Sequence, residues 1–269
     1  MRRGCLDTSD GLCAHCTGRY VAIVPNGRNE MRKLSTAVAV LVVSAAFPLG
    51  AQSINAAVAY GALITTPAGA LPPVLSNAML NRPMTQPDVA MRYGHISDNG
   101  ISLNTFDARV GFPFGTKAMV GVNAGYQDAS CNLGNCDSHF IAGANAEGRL
   151  ASTMLGAGAE AAQLTIGLNG DAGFGKVNGA SAFSFTGGLP VALLSHTSRA
   201  LIAPFLTPAF GWGRASNNGV SENGTRFLLG GGVTLQSTRS PIGANFGFQK
   251  VFVDGGETVF GLSVVVGRR

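Results

Sequence analysis

The stretch Ala118-Met-Val-Gly-Val-Asn-Ala-Gly-Tyr-Gln127 decides the fold. Its even positions, Ala118, Val120, Val122, Ala124 and Tyr126, are apolar or aromatic. Its odd positions, Met119, Gly121, Asn123, Gly125 and Gln127, are small or polar apart from the methionine. Successive side chains of a strand point to opposite faces, so this reads as a strand with one greasy and one polar side. The preceding segment repeats the pattern, with Phe106, Ala108, Val110, Phe112 and Phe114 set against Thr105, Asp107, Arg109 and Gly111. The two-residue beat runs on to about Gly267 and predicts ten strands: 88–96, 102–114, 117–127, 139–150, 162–175, 180–193, 200–214, 225–236, 242–252 and 257–267. Tight connections at Gly115-Thr116 and Ser237–Ser240, and the hairpin signal Asp254-Gly255-Gly256, separate them. An even number of segments long enough to cross a bilayer when tilted fits an antiparallel up-and-down transmembrane β-barrel of about ten strands, with eight to twelve allowed.

An export signal precedes the beat. Met31-Arg32-Lys33 supplies a basic start, Leu34–Phe47 an apolar run, and Pro48-Leu49-Gly50-Ala51 a small residue at which to cleave. The run is too short for a spanning helix. Met31 therefore reads as the true start, Met1–Glu30 as an upstream extension from a misplaced start site, and 31–51 as the signal peptide. Residues 52–87, with Thr65-Thr66-Pro67, Pro72-Pro73 and Pro87, read as a lead-in that is poorly ordered or partly extended. Residues 88–269 are the barrel. Two places strain the pattern. Pro204 and Pro208 in the seventh strand predict a bulge or local irregularity, and Leu150–Ala161 is long for a turn and predicts a short helix.

The export signal governs how the cysteines are read. Cys5, Cys13 and Cys16 fall in the extension, and Cys13-Ala-His-Cys16 has no second pair to complete a metal or redox site. Cys131 and Cys136 lie in a turn-rich exported loop, where an even pair in an oxidising compartment reads as a local structural disulfide. Charge is also largely a property of the removed segment. Residues 1–51 hold six of the 19 Lys/Arg and three of the 14 Asp/Glu, leaving 13 against 11. With no basic run, nucleic acid is not an expected partner. Charged residues are only 12% of the chain and glycines number 38, a composition suited to strands in lipid.

With the first strand running outward from the periplasm, strand tops carry Tyr93, Tyr126, Phe140, Phe174, Phe183, Trp212, Phe227, Phe252 and Phe260. Nearly all share the parity of their strand's apolar residues, which reads as an aromatic girdle at the headgroup level. Phe112 and Phe114 mark the other rim. Arg92, Asp107, Arg109, Glu147, Arg149 and Asp171 fall on the opposite parity and face the lumen. Buried charges are costly unless paired, so they are expected to form a charge-paired network. That network either plugs the narrow lumen or lines a narrow pore.

These features together resemble the small bacterial outer-membrane β-barrel proteins typified by the OmpA transmembrane domain and OmpX. The resemblance covers signal and barrel, about residues 31–269, and is one of pattern. It implies a cell outer-membrane location, outer-membrane lipid and the barrel-assembly machinery as partners, and no cofactor or metal. The last strand departs from such barrels, which commonly end in an aromatic, by ending Val264-Val265-Val266-Gly267-Arg268-Arg269.

Enzyme-like signals are weak. Gly170-Asp-Ala-Gly-Phe-Gly-Lys176 nearly matches a phosphate-binding loop, but Val177 replaces the Ser/Thr that would hold magnesium. His196 and Ser198 have the spacing of the catalytic pair of lipid A deacylases, yet residues 199–221 carry no acid to orient the imidazole. His95 and His139 read as surface-loop histidines near Asp98 and Asp137. The chain is thus read as non-enzymatic, in a structural or narrow-pore role. The alternatives are a true small-solute porin or transporter, and a soluble exported lipocalin-like barrel whose apolar residues would line a ligand cavity. Oligomeric state is left open.

Overall fold

The computed structural model describes residues 60–98, 101–131, 137–156, 161–177, 179–217, 219–252 and 258–267. The upstream extension, the signal peptide and Cys136, with its pairing to Cys131, lie outside them. The described strands are β1 (Asp88–Asp98), β2 (Ile101–Phe114), β3 (Ala118–Cys131), β4 (His139–Leu155), β5 (Ala162–Val177) and β6 (Ala180–Gly188). They continue with β7 (Val191–His196), β8 (Ala200–Asn217), β9 (Val220–Ser237), β10 (Ile242–Val251) and β11 (Thr258–Val266). All pair antiparallel with their neighbours, and β1 also pairs with β11 from Val89↔Val266 to His95↔Phe260, which closes the sheet. Closure leaves no unpaired edge.

Two of these strands are one stave of the barrel. Asn169↔Gly188 and Ile166↔Val191 keep a single register on β5 across the gap between β6 and β7, and both pieces pair with β8. The chain is interrupted only at Leu189-Pro190, where proline removes an amide donor. The flanking bonds persist, with Leu189 N donating to Pro208 O (3.0 Å) and Gly167 N to Pro190 O (2.9 Å). The barrel therefore has ten staves, as the periodicity predicts.

Of the two strained places, the first shows a local irregularity but no bulge, and the second differs from expectation. β8 carries Pro204 and Pro208 without a bulge, since its register on β9 is unbroken from Ala200↔Ser237 to Asn217↔Val220. The cost falls on the neighbouring stave, where Leu193 and Leu194 have no partners in the ladder to β8. Leu150 begins no helix. β4 runs on to Leu155, and a register shift between Arg149 and Ala151 absorbs one extra residue.

The third difference is the largest. Residues 60–82 do not form a loose lead-in: they run through the barrel. Leu63, Leu71, Leu75, Met79 and Leu80 are fully buried, as are Thr66, Ser76 and Asn77. The segment passes through a one-turn helix, α1 (Pro67–Ala70), with proline in its first turn. It then extends through Pro72-Pro73 and turns at Asn77–Leu80 before β1. The hydrophobic core of this molecule is thus the seam between a threaded segment and the barrel wall.

Candidate functional site

The outer surface is apolar. Val89, Met91, Val120, Val122, Leu168, Phe185, Leu206, Phe246, Leu262 and Val264 all point out, with Met91 71% exposed. A soluble barrel of lipocalin form requires the reverse, an apolar lining and a polar exterior. Of the girdle candidates, Phe140 (79% exposed), Tyr126, Phe174, Phe183 and Phe260 point outward, while Tyr93, Trp212, Phe227 and Phe252 are partly covered by neighbouring rings and strands. Adjacent rings touch: Tyr93–Phe106 at 4.8 Å between centroids, Tyr126–Phe140 at 5.6 Å, Phe183–Trp212 at 6.0 Å and Phe227–Phe252 at 5.3 Å. Phe112 and Phe114 are exposed at the opposite end of β2. A closed sheet of ten antiparallel staves, an apolar outward band and aromatics toward both its ends are features of a membrane-spanning barrel. The fold is that of an outer-membrane β-barrel.

No protein-family model matches the chain, and no curated protein matches it. Solved structures of similar fold include an outer-membrane channel from Pseudomonas putida F1 (12% identity, TM-score 0.42, covering 72% of this chain and 99% of that one). The N-terminal β-barrel domain of Pseudomonas aeruginosa OprF matches with 12% identity and a TM-score of 0.27, covering 67% of this chain and 98% of that domain. Ail, the attachment invasion locus protein of Yersinia pestis, matches with 14% identity and a TM-score of 0.28, covering 67% and 94%.

The threaded segment lies outside the sheet's ladder, so its backbone polar groups need partners from the wall. Inward amides supply them. Gln127 Nε2 donates to Ile64 O (2.9 Å), Gln249 Nε2 to Ala68 O and Gly69 O (3.1 Å each), and Asn245 Nδ2 to Pro73 O (3.3 Å). Glu147 Oε2 accepts from Ser76 N at 2.6 Å, and the Thr66 and Ser184 hydroxyls share a 2.5 Å hydrogen bond. His139 points inward and is 6% exposed, its Nε2 lying 3.3 Å from Thr65 O, so it is no surface histidine.

Where the segment's backbone comes closest, the wall has no side chain at all. A Cβ at Gly173 would stand 2.9 Å from Thr66 Cβ, at Gly230 2.6 Å from Pro73 Cγ and at Gly261 2.9 Å from Pro72 Cδ. Gly94 and Gly175 face the carbonyl oxygens of Ala70 and Thr65 in the same way. Glycine inside a strand is expected where another backbone approaches closely. These five glycines lie on four strands, β1, β5, β9 and β11, so the segment is approached from more than one side of the wall.

The six lumen charges divide into three groups. Arg92 faces Asp107 across β1–β2 in a bidentate pair, with Nε 2.7 Å from Oδ1, and Asn123 Nδ2 donates to the same carboxylate at 2.7 Å. Arg109 Nε donates to Asn145 Oδ1 (3.0 Å), Glu147 holds the segment at Ser76, and Asp171 accepts from Thr186. Arg149 stands apart, beyond the bulge, and donates to Asn81. Arg92, Arg109, Glu147 and Asp171 line a cavity of about 40 Å³ between the wall and Ala68, Leu71 and Val74. Three buried polar atoms on its wall, Arg109 Nη2, Asn169 Oδ1 and Thr207 Oγ1, lack a protein partner. The space suits about three water molecules, each with polar neighbours.

The enzyme-like signals have no site around them. Residues 170–176 lie within β5 rather than at a strand–helix junction. His196 ends β7, and His95 Nδ1 lies 2.9 Å from Asn104 Oδ1. No cluster of three or more metal-ligating residues occurs among the described residues.

What sequence reasoning missed is the threaded segment; Gln127, Gln163, Asn245 and Gln249 fall on the lumen parity, but nothing in the sequence marked them as its receptors. A signal was present. Between Gln52 and Pro87 the only charged residue is Arg82, amid Leu63, Ile64, Leu71, Val74, Leu75, Met79 and Leu80. A disordered lead-in is normally charged and poor in large apolar side chains, and this one is neither.

Proposed function

We propose that the chain is a non-enzymatic outer-membrane pore held shut by its own N-terminal segment. The carrying observation is the composition of the wall facing residues 60–82. A barrel built only as a solid pillar fills its lumen with wall side chains. Here the wall facing the middle of the segment is glycine and polar side chains, with apolar clusters at the two ends, so removal of the segment would leave a passage hydrated at its middle. Arg92, Arg109, Glu147 and Asp171 would line its middle and set its ion preference. Export through the signal at residues 31–51, assembly by the barrel-assembly machinery and outer-membrane lipid as surroundings belong to the same reading.

The test is conductance across a planar lipid bilayer. The full chain is expected to be almost silent and a variant lacking residues 60–82 to give steady open steps. Ion selectivity of that variant should shift in opposite directions for Arg109→Gln and Glu147→Gln. A folded, heat-modifiable deletion variant that conducts no more than the full chain would leave the barrel a purely structural element.

A further inference from the structure

The threaded segment has a direction, and that direction has a consequence for topology. Leu63, with Tyr60 and Ile64 beside it, packs against Leu228 and Val251. Tyr60 and Ile64 also pack against Ile96, Leu103 and Val259. Ile96 and Leu103 flank the β1–β2 connection, and Val251 and Val259 flank the β10–β11 connection. Residue 60 is therefore at the hairpin end of the barrel, remote from the barrel's own termini. At the other extreme, Leu75, Met79 and Leu80 pack on Leu194 and Leu201 beside the β7–β8 turn. Asn81 Nδ2 reaches Gln163 at the start of β5 (3.1 Å), and Arg149 reaches Asn81. Asp88 then opens β1 at the end where Val266 closes β11.

An even-stranded barrel has both termini on one side, which in bacterial single-chain barrels is the periplasm, with tight turns there and longer loops outside. Asp88 and Val266 lie at the end of the barrel that carries the connections at 115–117, 156–161, 197–199 and 238–241, and those at 99–100, 132–138, 178–179, 218–219 and 252–257 lie at the other. Resting on the membrane-barrel reading, we propose that this barrel carries its own N-terminal end across the membrane. Tyr60 sits at the external mouth of the lumen, and from there the plug is threaded outside-to-inside into β1. The barrel is then a conduit for its own leading segment as well as a closed pore, and whatever frees the plug from Tyr60 onward would act from outside the cell.

Gly61 offers the probe, because a Cβ built there meets nothing within 4 Å. In a background with every native cysteine changed to serine, Gly61→Cys is labelled on intact cells with a membrane-impermeant maleimide. Val220→Cys, 67% exposed beside the β8–β9 hairpin, marks the external face, and Arg239→Cys in the β9–β10 turn marks the periplasm. Gly61→Cys and Val220→Cys are expected to label to a comparable extent on intact cells, and Arg239→Cys only after the envelope is opened. Gly61→Cys labelling only together with Arg239→Cys, while Val220→Cys labels on intact cells, would overturn the threading and leave the barrel standing. Failure of Val220→Cys itself, with no heat-dependent gel shift, would instead remove the membrane reading. A second variant covers poor reactivity at residue 61: an epitope inserted after Ala57 should bind antibody on intact cells, and binding only after permeabilisation overturns the proposal.

Discussion

The two halves of the lumen hold the same segment by different physics. At the terminal end, Leu75, Met79 and Leu80 interlock with Ala192, Leu194, Leu201, Ala203 and Phe205 in a dry cluster, every member of which is buried. In the middle, α1 and the Pro72-Pro73 turn lie against glycines and amides, beside a polar cavity and the charges Arg92, Arg109, Glu147 and Asp171. The apolar end gains stability from water exclusion, which is non-directional and grows with area. The polar middle gains little net energy per hydrogen bond but loses much if one partner is removed. The first region therefore anchors the plug, and the second fixes where it sits.

The largest effect is expected in the polar middle. Asp107→Ala would strand the buried Arg92 guanidinium and the Asn123 amide together. Breaking a buried pair from one side costs about 3–5 kcal/mol, so the compact band on an unboiled gel should vanish at a much lower temperature. Arg92→Met with Asp107→Leu removes both charges at once and should recover most of the loss. Next comes the apolar end. Leu194→Ala opens a cavity at a fully buried contact and should cost about 2–4 kcal/mol. Because Leu194 touches the plug, bilayer recordings should also show transient openings. Their absence, with stability lowered, would mean that this cluster supports the wall alone.

The sheet was legible because a strand's two-residue period is local. The ten staves and the outward parity of Phe106, Tyr126 and Phe260 follow from alternation in single segments, and closure through β1–β11 follows from their even number in an up-and-down barrel. The bidentate partner of Arg92 was half legible: both charges fall on the inward parity, but only the register sets Arg92 opposite Asp107. The plug was not legible in this way. Residues 60–82 have no period, and their contacts are spread over nearly every strand, from Gly94 to Gly261. Such contacts are long-range, and sequence shows them only indirectly: an uncharged lead-in, inward amides and glycines at positions where a barrel wall has no other use for them. The prolines were legible as a local irregularity, since the β7–β8 ladder breaks opposite Pro204, but not as to its form, because no bulge accompanies it.

A smaller effect separates the glycine track from the glycines that merely lighten the wall. Gly173 faces the plug, with Thr66 Cβ 2.9 Å from where its own Cβ would be, whereas at Gly170, of outward parity, the nearest atom is at an ordinary 3.6 Å. Gly173→Val should displace the segment and cost about 1–3 kcal/mol through overpacking, with measurable leak conductance. Gly170→Val should leave both thermal midpoint and conductance near those of the unaltered chain. Equal effects at the two positions would mean that the close approach of wall and plug is not what holds the pore shut.

The smallest effect distinguishes a positional contact from an anchoring one. Glu147 Oε2 accepts from Ser76 N, a buried backbone donor with few other places to turn. Glu147→Gln keeps an acceptor oxygen in reach and gives up only the charge assistance, a loss of about 1 kcal/mol. Glu147→Ala orphans the Ser76 amide and should cost about 1–3 kcal/mol. Neither change removes a member of the apolar cluster that flanks Ser76 at Leu75, Met79 and Leu80, so the plug should stay in the lumen while the contact at Ser76 loosens. Hydrogen exchange resolves the two regions: the Ser76 amide should exchange faster in Glu147→Ala than in Glu147→Gln, with the Leu80 amide, bonded to Ser76 O, little changed. If Leu80 loosens in step with Ser76, polar seat and apolar anchor form one cooperative unit. The plug would then leave the lumen as a whole rather than from its polar end.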